Sequence, residues 1–311
     1  MVWKRAVLIA GPTASGKSAL ALAKARELGG VIVNADALQV YDGLRLLTAW
    51  PKEAELALAP HRLYGTVPAE KRFSTGDWAR AAARVMAEAG DAPLIFVGGT
   101  GLYFEALTNG FAEVPEVPSG AIAWAEAEVH GLNREERSRL IAARDPVVAG
   151  RLKSPDPQRV IRALAVLKAT GRSLASFQDE AQAGQLDGHE VERIVVDPGR
   201  DVLRERIAQR FVAMLEQGAV DEVKALLGRD LDPSLPIMKA IGVREIGDWL
   251  AGTISRDEMI ERAVIATRQY AKRQRTWFRH QIDESRVTRV DPHDPRSGAI
   301  VERWWRGGNS E

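Results

Sequence analysis

Short apolar runs alternate with helix-forming stretches over the first 110 residues of the chain. Residues 6–10 (AVLIA), 31–35 (VIVNA) and 93–97 (PLIFV) have the length and content of buried strands. Between them, residues 18–28 and 73–90 are rich in helix formers and stop at glycines. Alternation of strand and helix predicts parallel strand pairing with helices on both faces of the sheet.

The pattern changes after Gly110. A connector rich in proline, VPEVPSG, leads into residues 120–180, which contain several helical segments and no apolar strand run. A strand-like run returns near residues 189–200, and apolar residues recur at helical spacing over 201–227 and about 256–280. The chain therefore begins as α/β, continues as helices alone, and then resumes the α/β pattern.

These patterns predict an α/β fold, a parallel β-sheet flanked by helices, with a small all-helical insertion domain. We assign the sheet and its helices to residues 1–115 and 190–311, and the insertion to residues 116–189. A chain of 311 residues is long enough to bury a core without outside help.

The composition is that of an ordinary globular protein, with 45% hydrophobic and 27% charged residues. Because the chain has no cysteine, disulfide frameworks and cysteine metal sites are excluded. The N-terminus does not resemble a signal peptide, and no stretch approaches the roughly 20 apolar residues of a membrane span. We expect a cytoplasmic protein without a membrane partner. The net charge of +1 argues neither for nor against binding of nucleic acid. The relevant evidence is whether the basic residues are grouped on one surface.

The stretch GPTASGKS, residues 11–18, fits the phosphate-loop pattern G-x-x-x-x-G-K-[ST] between a predicted strand and a predicted helix. Its glycines let the backbone curl so that several amides point inward at a helix N-terminus, where anions bind. Lys17 adds a positive charge, and Ser18 offers a hydroxyl to Mg²⁺, the expected cofactor. The alternative is a tight turn without a ligand. We predict a P-loop NTPase-like core that binds a polyphosphate or diphosphate through Gly11, Pro12, Thr13, Ala14, Ser15, Gly16, Lys17 and Ser18.

Asp36 follows the second predicted strand directly. In an open parallel sheet, ligands bind beyond the carboxyl ends of the strands, so Asp36 is expected to face the same crevice as the phosphate loop. One interpretation is a general base, and the other is a turn or helix cap, a common use of aspartate. At the next strand end, VGGTGLY combines glycines that permit close approach with the hydroxyl of Thr100. A tight strand-to-helix turn is the plainer explanation of those glycines.

A basic stripe is predicted on the last long helix. Its four cations are spaced four, three and four residues apart, which places them on one side of a helix. No acidic residue interrupts RQYAKRQRTWFRH, and Tyr270 and Trp277 interleave with the cations, as on RNA-binding surfaces. The alternative is a solvated helix face with the aromatic residues in the core. The stripe consists of Arg268, Lys272, Arg275 and Arg279.

Eight motifs together resemble the bacterial tRNA dimethylallyltransferase family over nearly all of residues 6–280. They are GPTASGKSALA, NADALQVYDGL, APHRLYG, FVGGTGLYFEAL, DPQRVIRALAVLKATG, RIAQRFVAMLEQGAVDEV, KAIGVREI and TRQYAKRQRTWFR. The resemblance implies transfer of a dimethylallyl group from dimethylallyl diphosphate to the exocyclic amine of the adenine 3′ of the anticodon. It also implies that the insertion domain contacts the anticodon stem-loop of tRNA. We expect a monomer.

The resemblance also implies residue roles. Thr13 to Ser18 would hold the diphosphate leaving group, with Mg²⁺ at Ser18, and either Arg206 or Arg210 would clamp it. Asp36 would be the catalytic base, with Thr100 near the reacting centre. The residues implied to contact tRNA are Asp36, Ala37, Leu38, Gln39 and Thr100 around the adenine, and Gln158, Arg159, Val160, Ile161 and Arg162 in the insertion.

Three departures from the family pattern put specific roles in doubt. Many relatives carry Ser-Arg where this chain has Ala37-Leu38. A lysine common in relatives is replaced by Trp50, and a common tyrosine is replaced by Val243, which removes aromatic stacking from that position.

Other functions fit parts of the same pattern. A P-loop small-molecule kinase would share the phosphate loop and the strand-end acid but would not need the basic stripe. An isopentenyltransferase acting on free adenine nucleotides would not need the insertion domain. A non-catalytic, nucleotide-gated RNA-binding protein would keep its function without the carboxylate of Asp36.

Overall fold

The computed structural model describes residues 4–112, 114–152, 154–180, 183–282 and 284–292. Residues 293–311, the end of the predicted C-terminal core segment, lie outside the described residues. Six strands form a sheet: β1 (Lys4–Ala10), β2 (Val31–Asn34), β3 (His61–Arg62), β4 (Leu94–Gly98), β5 (His189–Val196) and β6 (Thr288–Val290). They lie in the order β3-β2-β4-β1-β5-β6, and all neighbours are parallel. The predicted parallel α/β fold is confirmed.

Thirteen helices are described. Those of the first part of the chain are α1 (Lys17–Leu28), α2 (Glu53–Leu56), α3 (Thr75–Ala89) and α4 (Gly101–Asn109). The next five are α5 (Ser119–Val129), α6 (Arg134–Arg144), α7 (Pro146–Arg151), α8 (Pro157–Thr170) and α9 (Leu174–Asp179). The last four are α10 (Arg200–Glu216), α11 (Ala219–Leu227), α12 (Val243–Leu250) and α13 (Arg256–Gln281). The helical pattern over 201–227 is divided between α10 and α11, because Gly218 adopts a φ of +107° that ends the first helix.

The chain forms two compact units. One contains the described residues up to Thr108 and from Gln185 onward, and carries the sheet. The other, Asn109–Gly184, contains α5 to α9 around a core of its own. The chain leaves and re-enters the sheet unit at one place, since the amide of Leu186 donates to the carbonyl of Leu107 at 3.1 Å.

Both faces of the sheet are covered. Leu8 of β1 packs into the larger core cluster with Trp78 of α3 and Phe278 of α13. Its neighbour Ile9 points the other way, into a cluster that includes Ala25 of α1. Strands buried on both faces read as continuous apolar runs, which explains the patterns of β1 and β4. The helices of the described residues are each too short or too polar to cross a lipid bilayer.

The carboxyl ends of the three central strands are level. Ala10 of β1 pairs with Gly98 of β4, and Asn34 of β2 pairs with Val97. The ends of β2 and β4 are also very close, because a Cβ added to Gly98 would lie 2.0 Å from the carbonyl oxygen of Ala35. Only glycine permits this approach. The residues that follow these strands therefore meet at one edge of the sheet.

Candidate active site

The phosphate loop between β1 and α1 is tightly wound. Gly16 adopts a φ of +95°, and Ala14, a residue with a side chain, adopts +63°, which costs about 1–2 kcal/mol. The side chain of Ser15 is fully buried, whereas Ser18 is exposed on the first turn of α1. Amides of a first helical turn have no intrahelical acceptor, so the loop and α1 together present donors suited to an anion.

Lys17 is the cation of this loop. Its ammonium donates to the carbonyl of Pro12 at 3.3 Å, so it curls back over the loop. Burial lowers the pKa of Lys17 to about 8; Asp36 opposes this change and the charge of Arg210 adds to it. A lysine desolvated in this way gains from a bound anion, which restores its positive charge.

Both candidate clamp arginines of α10 lie beside the loop. Arg210 donates to the hydroxyl of Thr13 through a short hydrogen bond. Burial lowers its pKa, and the charge of Asp36 counteracts the decrease. Arg206 approaches the loop at Gly16, where an added Cβ would lie 3.7 Å from its guanidinium. The structure thus brings both arginines, and not one alone, to the predicted diphosphate site.

Asp36 occupies a turn that Asn34 holds in place. The amide of Asp36 donates to Oδ1 of Asn34 at 2.9 Å, and Nδ2 of Asn34 donates to the carbonyls of Asp36 and Leu63, both at 3.0 Å. Oδ1 of Asp36 accepts the amide of Leu38 at 3.0 Å. Oδ2 accepts no hydrogen bond from the part of the chain that the structure describes. One carboxylate oxygen therefore caps the turn, and the other is available for chemistry.

Thr100 ties the two strand ends together. Its hydroxyl accepts the amide of Ala37 at 2.9 Å, and its own amide donates to the carbonyl of Ala35 at 3.2 Å. The hydroxyl predicted to face the crevice also fixes the backbone that follows Asp36. Ala37 and Leu38 are half-buried and pack against the larger core cluster.

The charge of Asp36 acts on three tyrosines. The pKa values of Tyr64, Tyr103 and Tyr270 are all raised, mainly because the hydroxyls are buried and further because of the negative charge of Asp36. All three therefore stay neutral at physiological pH.

A cleft of about 570 Å³ opens over the phosphate loop and is walled by Trp50, Tyr64 and His61. The amide of Gln39 donates to the carbonyls of Thr48 at 2.8 Å and Ala49 at 3.0 Å, so its donors hold the segment before Trp50. The ring of Trp50 fills the space above Gly65, where an added Cβ would lie 1.8 Å from it. The position at which the family pattern predicts a lysine is here an aromatic wall. Gln39 supports that wall with its amide donors.

Helix α13 has two distinct faces. The predicted stripe lines a groove with Arg200 and Arg204 of α10, and Arg275 forms an ion pair with Asp197 at 2.6 Å. Tyr270 and Trp277 lie on the other side, with Trp277 packed over Gly101. The aromatic residues interleave with the cations in sequence but do not share their face.

Gln274 and Asn34 are site residues that the sequence reasoning missed. Gln274 is 5% exposed, accepts the amide of Thr13 at 2.9 Å, and donates to the carbonyl of Gly99 at 3.0 Å. The sequence signal for Gln274 was its position: a polar residue on the inner face of a helix whose outer face is basic. For Asn34 the signal was an asparagine inside an apolar run, two residues before the aspartate that it holds.

In the helical unit, α8 carries the predicted tRNA-contact stretch. Gln158, Arg159 and Arg162 are exposed, and Arg159 forms an ion pair with Asp156 at 3.1 Å. The side chain of Val160 is fully buried in the core of this unit and has no surface to offer RNA. Ile161 is half-buried against the same core. In the sheet unit, Val243 is buried as well, which agrees with the absence of a stacking role.

The residues for a divalent ion are few. Among the described residues, no group of three or more histidine, aspartate or glutamate side chains is arranged to hold a metal. Mg²⁺ commonly keeps several waters and takes its remaining ligands from substrate phosphates. The exposed hydroxyl of Ser18 fits such an ion, provided that a diphosphate supplies the other oxygens.

Comparison with known proteins extends these observations. The family model for IPP transferases matches residues 39–281. A Chelativorans protein named tRNA dimethylallyltransferase is 55% identical over 284 residues, which are 90% of this chain and 96% of that protein. A protein of the same name from Allorhizobium ampelinum is 48% identical and covers 94% of this chain and 97% of its own length.

Solved structures agree. The full-length tRNA isopentenylpyrophosphate transferase of Bacillus halodurans is 30% identical, with a TM-score of 0.66 over 96% of this chain and 95% of its own. A eukaryotic dimethylallyltransferase crystallised in the course of acting on tRNA has a TM-score of 0.80 over 99% of this chain and 81% of its own. Its 22% identity supports the fold alone.

Proposed function

This chain belongs to the IPP transferase family, and we propose that it transfers the dimethylallyl group of dimethylallyl diphosphate to tRNA. The acceptor is the exocyclic amine of the adenine 3′ of the anticodon, and the products are N6-dimethylallyladenosine and diphosphate. One observation carries the proposal: the carboxylate of Asp36 after β2 and the phosphate loop with Lys17 after β1 lie at the same edge of the sheet. Only β4 separates the two strands, and Asp36 is close enough to influence the pKa of Lys17.

The reaction exchanges one bond for another. The adenine nitrogen attacks the allylic C1, the bond from C1 to the diphosphate oxygen breaks, and one proton of the amine must leave. That amine is a weak nucleophile because its lone pair is delocalised into the ring. The step becomes feasible when the departing negative charge is stabilised and a base is within reach of the proton.

The phosphate loop and the arginines beside it stabilise the diphosphate leaving group. Lys17, Arg206, Arg210 and the first-turn amides of α1 surround the position at which negative charge develops. A Mg²⁺ ion bound with the diphosphate at Ser18 would further neutralise that charge.

Asp36 is the proposed base that accepts the proton of the adenine amine. Its Oδ1 is fixed by the amide of Leu38, so the orientation of the carboxylate is set before substrate arrives. The neutral Tyr64 and Trp50 give the crevice apolar walls, which limit attack of water on the allylic centre. The adenine must leave the stack of the anticodon loop to enter.

The rest of the substrate needs a basic surface. The groove between α10 and α13 combines the exposed cations of the predicted stripe with Arg200 and Arg204, and suits an RNA backbone. Exposed residues of α8, in the helical unit, add further contacts. All these groups belong to one chain, so we propose that a monomer is sufficient. We also propose that the reaction takes place in the cytoplasm, since the substrate is tRNA.

The direct test is transfer of label from radiolabelled dimethylallyl diphosphate, with Mg²⁺, to three acceptors. They are an unmodified anticodon stem-loop RNA, the same RNA with guanine at the acceptor position, and free adenosine monophosphate. We expect label on the first RNA alone. Label on the free nucleotide would indicate a nucleotide isopentenyltransferase, and consumption of ATP with a small acceptor and no labelled product would indicate a kinase.

Replacing Lys272 by alanine tests the groove. Each phosphate contact contributes roughly 0.7–0.9 to the slope of log affinity against log salt concentration. We expect the variant to bind the stem-loop more weakly at low salt and to have a slope smaller by about that amount. Fluorescence anisotropy at several salt concentrations measures both quantities.

A contact with phosphate carries no base preference, so the guanine-containing RNA should lose the same affinity. The matched control is Lys224→Ala on α11, a lysine whose ammonium lies 3.8 Å from Asp221. An unchanged salt slope for Lys272→Ala, or an equal change for the control, would contradict the assignment of the groove.

A further inference from the structure

Gln274 is a buried glutamine with both ends of its amide engaged by the active-site loops. Oε1 accepts the amide of Thr13 in the phosphate loop, and Nε2 donates to the carbonyl of Gly99 in the turn after β4. A Cβ added to Gly99 would lie 2.0 Å from Nε2, so the turn is shaped to admit this side chain. Thr13 and Gln274 are separated by 261 positions in sequence.

These contacts leave Thr13 held on two sides. Gln274 accepts a hydrogen bond from its backbone amide, and Arg210 donates one to its hydroxyl. The amide of Thr13 is therefore not available to a diphosphate, in contrast to its expected role in the loop. Thr13 serves instead as the point at which the loop is attached to α13 and α10.

The helix that carries Gln274 contacts the other side of the crevice as well. Trp277, one turn further on, packs over Gly101 beside Thr100. Gln274 and Lys272 are two residues apart, which places their side chains about 160° apart around the helix. The inner face of α13 thus holds the active-site loops, while its outer cations, Arg268, Lys272 and Arg279, are exposed.

We propose that Gln274 is a positioning residue that couples RNA binding on the outer face of α13 to diphosphate binding at the phosphate loop. This proposal rests on the proposed function, since it requires RNA as the second ligand. RNA that fixes α13 also fixes Gln274, and through it the backbone at Thr13. The ordering cost of the loop is then already met when the diphosphate binds, so the two ligands bind more tightly together than apart.

Such coupling is reciprocal: the factor by which RNA tightens diphosphate binding equals the factor by which diphosphate tightens RNA binding. For the wild type we expect a factor of about 5 or more, in the usual range for coupled sites. The advantage is chemical, since an allylic diphosphate that binds tightly only with RNA present is less exposed to reaction with water.

The experiment measures the dissociation constant of inorganic pyrophosphate, with Mg²⁺, in the presence and absence of the stem-loop RNA. Pyrophosphate is a product, so no turnover interferes. The variant is Gln274→Met, which keeps the volume of the side chain and removes both hydrogen bonds. The matched control is Gln185→Met, since Gln185 also donates to a backbone carbonyl, that of Ala79, at 2.9 Å. Calorimetry supplies each constant.

We expect Gln274→Met to bind pyrophosphate about 10-fold more weakly, since a buried amide and a buried carbonyl lose their partner, and to show no effect of RNA. The control should keep the wild-type ratio. A loosened fold alone would weaken binding but leave the ratio intact, which would overturn the proposal. If Gln274→Met fails to fold by circular dichroism, Gln274→Asn, too short to span Thr13 and Gly99, is measured in its place.

The experiments distinguish failure of the coupling through Gln274 from failure of the proposed transferase function. A wild type that binds RNA and transfers label, but binds pyrophosphate equally well with and without RNA, would refute the coupling and leave the transferase intact. A wild type that binds no RNA would refute the proposed function and the coupling together. A 10-fold loss of pyrophosphate affinity in that case would still identify Gln274 as a positioning residue of the loop.

Discussion

Replacing Asp36 by asparagine should lower the rate of transfer to RNA by roughly 10²-fold or more, the contribution of a well-placed general base. The asparagine side chain keeps an oxygen that can accept the amide of Leu38, so the turn held by Asn34 should persist. What is lost is the ability to take a proton from the adenine amine. Single-turnover transfer of label, with both substrates saturating, measures this step.

The control for this substitution is Asp42→Asn in the same segment. Asp42 also accepts a backbone amide, that of Ala69, at 2.9 Å, but its carboxylate pairs with Arg229 at 3.5 Å. We expect its transfer rate to remain near that of the wild type. Binding of RNA and pyrophosphate should be nearly unchanged in Asp36→Asn. A transfer rate within a few-fold of wild type would leave Asp36 with its capping role alone.

Replacing Lys17 by methionine should lower transfer by about 10²–10³-fold, as expected for removal of a preorganised charge at the leaving group. Pyrophosphate affinity should fall as well, because that charge is already present when the anion binds. Lys71→Met, at an exposed lysine outside the cleft lining, is the control. A Lys17→Met variant that keeps wild-type pyrophosphate affinity would contradict the assignment.

Because the pKa of Lys17 is lowered, both pyrophosphate affinity and the stability of the protein should depend on pH. Below about 8 the ammonium is protonated and binds the anion, and above it the charge is lost, so pyrophosphate affinity should fall as the pH rises through about 8. Because the folded protein holds this proton less tightly than the unfolded chain, the ligand-free protein gains stability as the pH rises above 8. Lys17→Arg, which stays charged, should lack the fall in affinity; the titration of pyrophosphate itself is common to both proteins.

The predicted site residues Lys17, Asp36 and Thr100 share one property: each lies in, or at the end of, a turn that follows a strand. The positions of Lys17, Asp36 and Thr100 depend on a local order of strand and turn, and parallel pairing brings such ends to one edge. Their partners Asn34 and Gln274 were missed for different reasons. Asn34 was read as part of an apolar strand, and the contact of Gln274 with Thr13 arises only when the last helix packs against the first loop.

The basic stripe shows a second limit. Helical spacing placed four cations on one side of α13, and the structure agrees. Spacing within one helix says nothing about other elements, and Asp197, at the end of β5, pairs with Arg275. The same limit applies to Trp50, where the loss of a lysine was recognisable but the wall built on Gly65 was not.

The hydrogen bond between Leu186 and Leu107 has a consequence for how such an enzyme can diversify. The chain leaves the sheet unit and returns to it at adjacent positions joined by this hydrogen bond, so a change in the length of the segment between them need not displace the strands. The entropy cost of closing a loop grows only slowly with its length. The helical segment can therefore lengthen, shorten or be exchanged by recombination as substrates change, while selection on the chemistry continues to act on the sheet unit alone.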